Sequence, residues 1–389
     1  MTNTLQPPQH KTLYGLDNLR ALAIIMVFLF HYHKWFPHPA WFPDVLKLGW
    51  TGVDLFFVLS GFLISSQLFA QIKKEGSFSM KDFYIKRFFR ILPVYYFVVA
   101  LYFIFPVLSG TQLLPPLWKF LTFTQNFAAN LETHSAFGVV WSLCVEEHFY
   151  LVLPVTLLLL LKNGWYKKAG ILLLLLFLAG FLIRFYSYYN IYLPQTNGII
   201  NGSLWVSTIY YPTYCRLDGL LAGVSIAALY NYLPSVFFRL SKYANTFIAA
   251  GVLLLAIAYF TFENPFSFGS SIIWFPLVSV CFGCMVLGAV MPASFLYKWK
   301  SALLSLIAKL SYSLYLVHMG TILLVQKIFF AWGIEKESIW MFVLSIIFCI
   351  LISLVLYYSI EKPFMKMRNR FLNPVAKTNS TERRYSNHW

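Results

Sequence analysis

Ten stretches of roughly 20 apolar residues recur along this chain, and each is long enough to cross a bilayer as a helix. They lie at about 17–36, 50–71, 88–108, 138–161, 169–187, 208–230, 245–262, 270–292, 304–327 and 338–360. A helix of that length rises about 30 Å, the thickness of the hydrocarbon core. Lipid offers no hydrogen-bond partner to a backbone, so such runs are helices whose N–H and C=O groups pair internally. The fold class that follows is all-α, a polytopic transmembrane bundle of about ten spans, with the lipid bilayer as its first partner. Composition agrees: of 389 residues, 59% are hydrophobic and 11% charged, whereas soluble domains carry about 25% charged residues. A shorter apolar run, 117–128, cannot span and is expected to lie at the interface or to re-enter.

The net charge of +16 does not point to nucleic acid, because the cations sit in short segments between apolar runs. With the N-terminus inside and ten spans, 23 of the 30 Lys and Arg fall on the cytoplasmic side and 6 outside, Arg216 lying within a span. Such a bias places both termini in the cytoplasm. The first apolar run lacks a small-residue cleavage site and reads as a retained helix, not a signal peptide. Residues 1–370 form the transmembrane domain; 371–389 read as a polar, basic, disordered cytoplasmic tail. Cys144, Cys215, Cys281, Cys284 and Cys349 all lie in or beside apolar runs, an odd set that makes no disulfide framework. No internal repeat is visible.

Ionisable groups within spans are costly, so each needs a reason. The inventory is His31, Asp54, Glu146, Glu147, His148, Arg216, Asp218 and His318. Arg20 and His31, eleven residues apart on the first helix, point within about 20° of each other and lie roughly 16 Å apart along the axis. A polar stripe therefore runs from the cytoplasmic end to a deep imidazole, whose bland alternative is a hydrogen bond to a neighbouring helix. Glu146, about two turns into the fourth helix from the outer side, falls near the same depth. It can orient that imidazole, bind an acceptor hydroxyl, or pair with an arginine such as Arg216. Glu147 points about 100° away. A metal held by His31, His33, Glu146, Glu147 and His148 is not expected, because residues two apart on a helix diverge and three contiguous ones cannot converge on one ion.

On the second helix, Gly52, Ser60 and Gly61 permit close packing, while Asp54 and Gly61 share a face that can border a ligand channel. Arg87 and Arg90 lie on one side of a helix start and can bind phosphate oxygens, or simply follow the positive-inside rule. Arg216 and Asp218 point about 200° apart, so each needs a partner on another helix. His318 shares a face with Ser311. These last two sites serve either substrate or the joining of helices.

Taken in order, the motifs resemble those of the acyltransferase 3 family. They are Leu16-Asp17-Asn18-Leu19-Arg20 with His31; Gly52-Val53-Asp54-Leu55-Phe56-Phe57-Val58-Leu59-Ser60-Gly61; Arg87-x-x-Arg90; Trp141-Ser142-Leu143 with Glu146 and Phe149-Tyr150; Arg216-Leu217-Asp218-Gly219-Leu220; Ser311-Tyr312-Ser313-Leu314-Tyr315-Leu316-Val317-His318; and Ile360-Glu361-Lys362-Pro363. The resemblance spans about residues 11–370. It implies acyl transfer, commonly acetyl from acetyl-CoA, to extracytoplasmic carbohydrates or small molecules at the bacterial cytoplasmic (inner) membrane. Under it His31 and Glu146 are catalytic, and Arg20, Arg87, Arg90 and Ser60 bind the donor. Asp54, Glu147, Arg216, Asp218 and His318 bind substrate or hold the structure, and no metal is required. Asn18 stands where glycine is expected, and Cys144 and His148 replace a small polar residue and a glutamine. Some longer relatives carry a C-terminal hydrolase-like domain; without room for one, this chain is expected to transfer directly or through a separate partner protein, as a monomer or homo-oligomer.

The expected arrangement is polarised. The donor nucleotide docks against the cytoplasmic arginines, its thioester reaches toward His31, and a carbohydrate or glycolipid acceptor (lipopolysaccharide, exopolysaccharide, peptidoglycan or a lipid-linked sugar) enters from outside. His31 acts as general base or as nucleophile. The competing class is a proton-coupled transporter that uses the same buried Asp, Glu and His as a relay.

Overall fold

The computed structural model describes residues 13–196, 199–262 and 264–372, and within them the chain is helical, with no strand. The principal helices are α1 (Tyr14–Trp35), α2 (Gly52–Glu75), α3 (Met80–Ile104), α4 (Trp141–Lys162), α5 (Ala169–Tyr186), α6 (Asp218–Tyr232), α7 (Ala244–Thr261), α8 (Phe275–Val290), α9 (Ala302–Ala331) and α10 (Ile339–Leu356). Among the described residues nine helical segments are long and apolar enough to span a membrane, so this is a multi-pass membrane protein. The tail expected at 371–389 falls, apart from Phe371 and Leu372, outside the described residues.

The tenth expected span, 208–230, is a broken one. A helical turn at Gly202–Trp205 runs into a wide turn at Val206–Tyr210; the chain then breaks and resumes as α6. Pro212 lacks the N–H that a continuing helix needs. The break frees backbone carbonyls inside the bundle, and side chains from elsewhere satisfy them: Asn126 Nδ2 donates to Tyr211 O at 3.2 Å, and Arg184 Nη1 donates to Cys215 O at 2.8 Å. Irregular backbone at membrane depth persists where protein covers it in this way.

The 117–128 run supplies Asn126. It forms a short helix, Leu117–Leu121, then turns that carry the buried Gln125 and Asn126 into the bundle. Tyr95 of α3 donates to Phe120 O at 3.1 Å. The run thus has an exposed first turn, Leu117, Trp118 and Leu121, and a buried end at Gln125 and Asn126.

At the centre, α2 and α6 touch backbone to backbone. A Cβ added at Gly223 would lie 2.3 Å from Val58 O, and one at Gly61 would lie 2.2 Å from Leu220 O. Packing of helices in lipid relies on such small residues. The line from Asp54 to Gly61 is thus a helix contact, not the border of a channel: α6 fills the space that Gly61 leaves. α1 packs on α9 and α8. A Cβ at Gly15 would meet Ala289 O at 2.1 Å, and Asn18 donates to Leu296 O and Trp299 O, both at 3.0 Å. The departure from glycine at position 18 therefore ties α1 to the turn before α9. α5 and α10 lie at the periphery; in α5 only Arg184 is buried.

Candidate active site

Helix direction sorts the polar groups into two ends. α1 runs from Arg20 to His31, α2 and α4 run the opposite way, and α3 begins beside Arg20. Arg20, Arg87 and Arg90 therefore cluster at one end, while His31 lies toward the other.

His31 stands near the C-terminal end of α1, where α1 packs on α9. Its Nδ1 lies 2.9 Å from His318 Nε2. His318 is fully buried, and its own Nδ1 lies 2.9 Å from Tyr315 O and 3.2 Å from Leu314 O. Carbonyl oxygens only accept, so His318 Nδ1 must carry its proton. In the neutral ring Nε2 is then the acceptor, and His31 Nδ1 must donate to it. The consequence is chemical: His31 Nε2 keeps its lone pair and can serve as a base. Tyr315 fixes the support, its hydroxyl lying 2.6 Å from both Ser142 Oγ and Val139 O at the start of α4. A small apolar crevice of about 130 Å³, opening between α1, α9 and α10, has His318 and Phe28 on its wall.

Glu146 does not orient His31. Similar depth on two helices does not make neighbours of them, and α4 packs on α2 while α1 packs on α9. The Glu146 carboxylate accepts instead from Ser60 Oγ at 3.0 Å and from Tyr150 Oη at 2.6 Å, both on Oε2. Arg20 and Arg87 are the cations whose fields reach it. Nor does Glu146 pair with Arg216. Glu147, on the next face, lies within reach of the Arg87 field and accepts no hydrogen bond from a described side chain. His148 Nδ1 lies 2.8 Å from Thr213 Oγ1 and so joins α4 to the break before α6.

Arg216 and Asp218 each find a partner on another helix. Arg216 Nη2 donates to Asp54 Oδ1 at 2.6 Å. The guanidinium sits among aromatic rings, with centroids at 4.2 Å for Phe275, 4.5 Å for Tyr210, 5.2 Å for Trp141 and 5.8 Å for Phe57. Ring faces attract such a cation where water cannot. Asp218 is held by Arg184 through two bonds, Nη1–Oδ2 at 2.6 Å and Nη2–Oδ1 at 3.2 Å. Arg184 counts as an outer-loop cation when the sequence alone is read, but its side chain is fully buried. The only signal was that Asp218 had to find a cation and Arg184 closes an apolar run.

The paired arginines divide. Arg90 is in an ion pair with the buried Glu361 of the Ile360-Glu361-Lys362-Pro363 motif, and Ser313 Oγ donates to the same carboxylate at 3.1 Å. Arg87 reaches only Gln67 Oε1, at a long 3.5 Å, and its Nε has no partner among the described residues. Among those residues no three His, Cys, Asp or Glu side chains gather as a metal site would need.

A family model described as an acyltransferase domain matches residues 13–358. The chain belongs to the acyltransferase 3 family. Among curated relatives, the peptidoglycan O-acetyltransferase of Listeria monocytogenes is 30% identical over 383 residues, which cover 93% of this chain and 57% of that protein. A putative peptidoglycan O-acetyltransferase of Bacillus subtilis is 27% identical over 381 residues, covering 91% of this chain and 55% of the relative. A putative O-acetyltransferase of Staphylococcus aureus is 29% identical over 386 residues, covering 92% and 58%. The chain thus spans little more than half the length of these relatives. No solved structure matches it. The acyltransferase 3 motifs fall on both ends of the bundle: Arg20, Arg87 and Arg90 at one, His31 and His318 toward the other, with Glu146 and Ser60 between them. Tyr150, Tyr315 and Glu361 stood in the motifs without an assigned role, and Arg184 stood outside all of them.

Proposed function

We propose that this protein is a membrane O-acetyltransferase that moves acetyl from acetyl-CoA, presented at the cytoplasmic face, to a hydroxyl of an extracytoplasmic carbohydrate at the bacterial cytoplasmic membrane. Both termini lie in the cytoplasm on this reading. Peptidoglycan is the favoured acceptor, because relatives covering nearly all of this chain carry that activity in their names. The observation that carries the reading is the contact between His31 Nδ1 and His318 Nε2, which leaves a lone pair on His31 Nε2 at the end of the bundle away from the arginine cluster.

The residues divide the work. Arg20 and Arg87 meet the donor's phosphates, and Arg87 has unpaired donor capacity for them. Arg90 keeps Glu361 neutralised and holds that end in shape. His31 Nε2 takes the proton of the acceptor hydroxyl as its oxygen attacks the thioester carbonyl; as the C–S bond breaks, His31 returns that proton to the departing thiolate. His318 keeps His31 in the productive tautomer.

The test is release of free CoA from acetyl-CoA by purified protein, with and without a soluble glycan acceptor, wild type beside His31→Ala. His31-dependent release supports the reading. Protein that neither binds nor cleaves acetyl-CoA would move it to the transporter class.

A further inference from the structure

Past the wide turn at Tyr357–Glu361 the chain continues as one more helix, α11 (Lys362–Leu372), into the arginine end of the bundle. It packs on the first half of α3. The Phe89 ring lies 5.4 Å from that of Phe371 and 6.4 Å from that of Phe364, and Arg90, already paired with Glu361, has Nη1 3.4 Å from Met365 Sδ. Glu361, Met365 and Arg368 follow at steps of four and three, so they share the face of this segment that meets α3. Lys366 and Arg370, two residues to either side of Arg368, point about 200° away from it. Both are exposed, whereas Arg368 is half-buried.

The two helices run in opposite directions. Three residues back from Arg90 on α3 stands Arg87, and three residues on from Met365 on α11 stands Arg368, so both steps lead the same way. The field of Arg368 accordingly reaches Arg87, and that of Arg90 reaches Arg368. Like charges held together weaken a fold, and nothing nearby neutralises these two. Among the described residues neither enters an ion pair, and Glu361 is committed to Arg90. Arg368 donates to the neutral amide of Asn369, from Nε at 3.2 Å and Nη2 at 3.0 Å. Arg87 has its long contact to Gln67 and an unpartnered Nε. Two guanidinium groups from different helices, converging with donors to spare, match the charge and geometry of a phosphate.

We propose that Arg368 is a donor-binding residue, which closes with Arg87 on the 3′-phosphate of coenzyme A. The assignment deepens the acetyltransferase reading and rests on it. Arg368 stands outside the seven motifs and beyond residues 13–358, which the family model matches. The choice of phosphate follows from position. The 3′-phosphate sits on the ribose, at the end of the donor furthest from the thioester. Arg368, two turns or about 10 Å beyond Glu361 along the helix, is the last of the cluster on the way out of the bundle at that end. A lipid headgroup phosphate has the same chemistry, but the cations turned toward headgroups are Lys366 and Arg370 on the other face.

The experiment titrates coenzyme A and 3′-dephospho-coenzyme A into the full chain in phosphatidylcholine nanodiscs and reads the heat of binding. Arg368→Gln is expected to weaken coenzyme A about 10-fold and the dephospho form less than about 2-fold. Arg368→Lys keeps the charge and is expected to recover part of the loss. Arg370→Gln, on the exposed face, serves as the control and is expected to bind both as wild type does. Equal binding of coenzyme A by Arg368→Gln and wild type overturns the assignment and leaves Arg368 to lipid headgroups. An equal loss with both nucleotides, or the same loss from Arg370→Gln, also overturns it, because Arg368 would then be one more positive charge near the site. The acetyltransferase reading fails separately: binding that depends on Arg368 without His31-dependent release of CoA refutes the chemistry and not the phosphate contact, whereas wild type that binds no coenzyme A refutes both.

Discussion

Replacing His318 by alanine removes an acceptor 2.9 Å from His31 Nδ1 and leaves the His31 side chain itself in place. The buried Nδ1–H loses its partner, a penalty of about 1–3 kcal/mol. His31 can then relieve it by moving the proton to Nε2, which removes the lone pair the reaction needs. At about 1.4 kcal/mol per factor of ten, kcat is expected to fall about 10- to 100-fold, with the KM for acetyl-CoA nearly unchanged, because the donor's phosphates are held at the other end. His318→Gln tests the reasoning further. A glutamine amide oxygen reaches about as far as Nε2 and can accept the same hydrogen bond, so this variant is expected to recover most of the loss. The assay is steady-state CoA release by protein with a wild-type elution profile and thermal midpoint. Full activity in His318→Ala, or a folded His318→Gln no better than alanine, refutes the tautomer argument.

Other predictions follow from the same contacts. Arg87→Gln is expected to raise the KM for acetyl-CoA about 10-fold with little change in stability, whereas Arg90→Gln lowers the thermal midpoint because it strands Glu361; equal behaviour in both assays would contradict the division of roles. Asp54→Asn leaves the Arg216 charge buried without its counterion and is expected to destabilise the fold by about 3 kcal/mol. Adding Arg216→Met should restore part of that loss in thermal unfolding; an additive double mutant would argue against the pair. Gly223→Ala is expected to abolish correctly folded protein, since a Cβ there lies 2.5 Å from Phe62 N. Gly164→Ala, with nothing within 4 Å and φ +67°, should cost only about 1 kcal/mol of backbone strain; comparable yields of both variants in size-exclusion chromatography would refute the close contact of α2 and α6.

How much was legible depends on range. Nine spans could be read because a hydrocarbon layer demands a contiguous run, a property of neighbours in sequence. The tenth was misread as continuous because hydropathy does not register that Pro212 breaks the ladder or that Asn126 and Arg184 reach in to cover the break. The need of Arg216 and Asp218 for separate partners was legible from helical angle, but their identities, Asp54 and Arg184, were not. The argument from estimated depth that matched Glu146 to His31 missed the partners Glu146 has, Ser60 and Tyr150, because depth along one helix does not say which helices are adjacent or which faces meet.

By itself, the amino-acid sequence determined a multi-spanning helical bundle, the list of ionisable groups that a membrane interior must account for, and, through seven ordered motifs, the family. Those follow from chain-local quantities: apolar run length, charge content and residue spacing. Only the tertiary structure decided that His31 answers to His318, that Glu146 belongs with Ser60 and Tyr150, and that Arg90 is held by Glu361 while Arg87 is left, among the described residues, with one weak contact. Each of these is a contact between helices far apart in sequence. It is set by which glycines let backbones close and by which faces then turn inward, and no window along the chain contains that information.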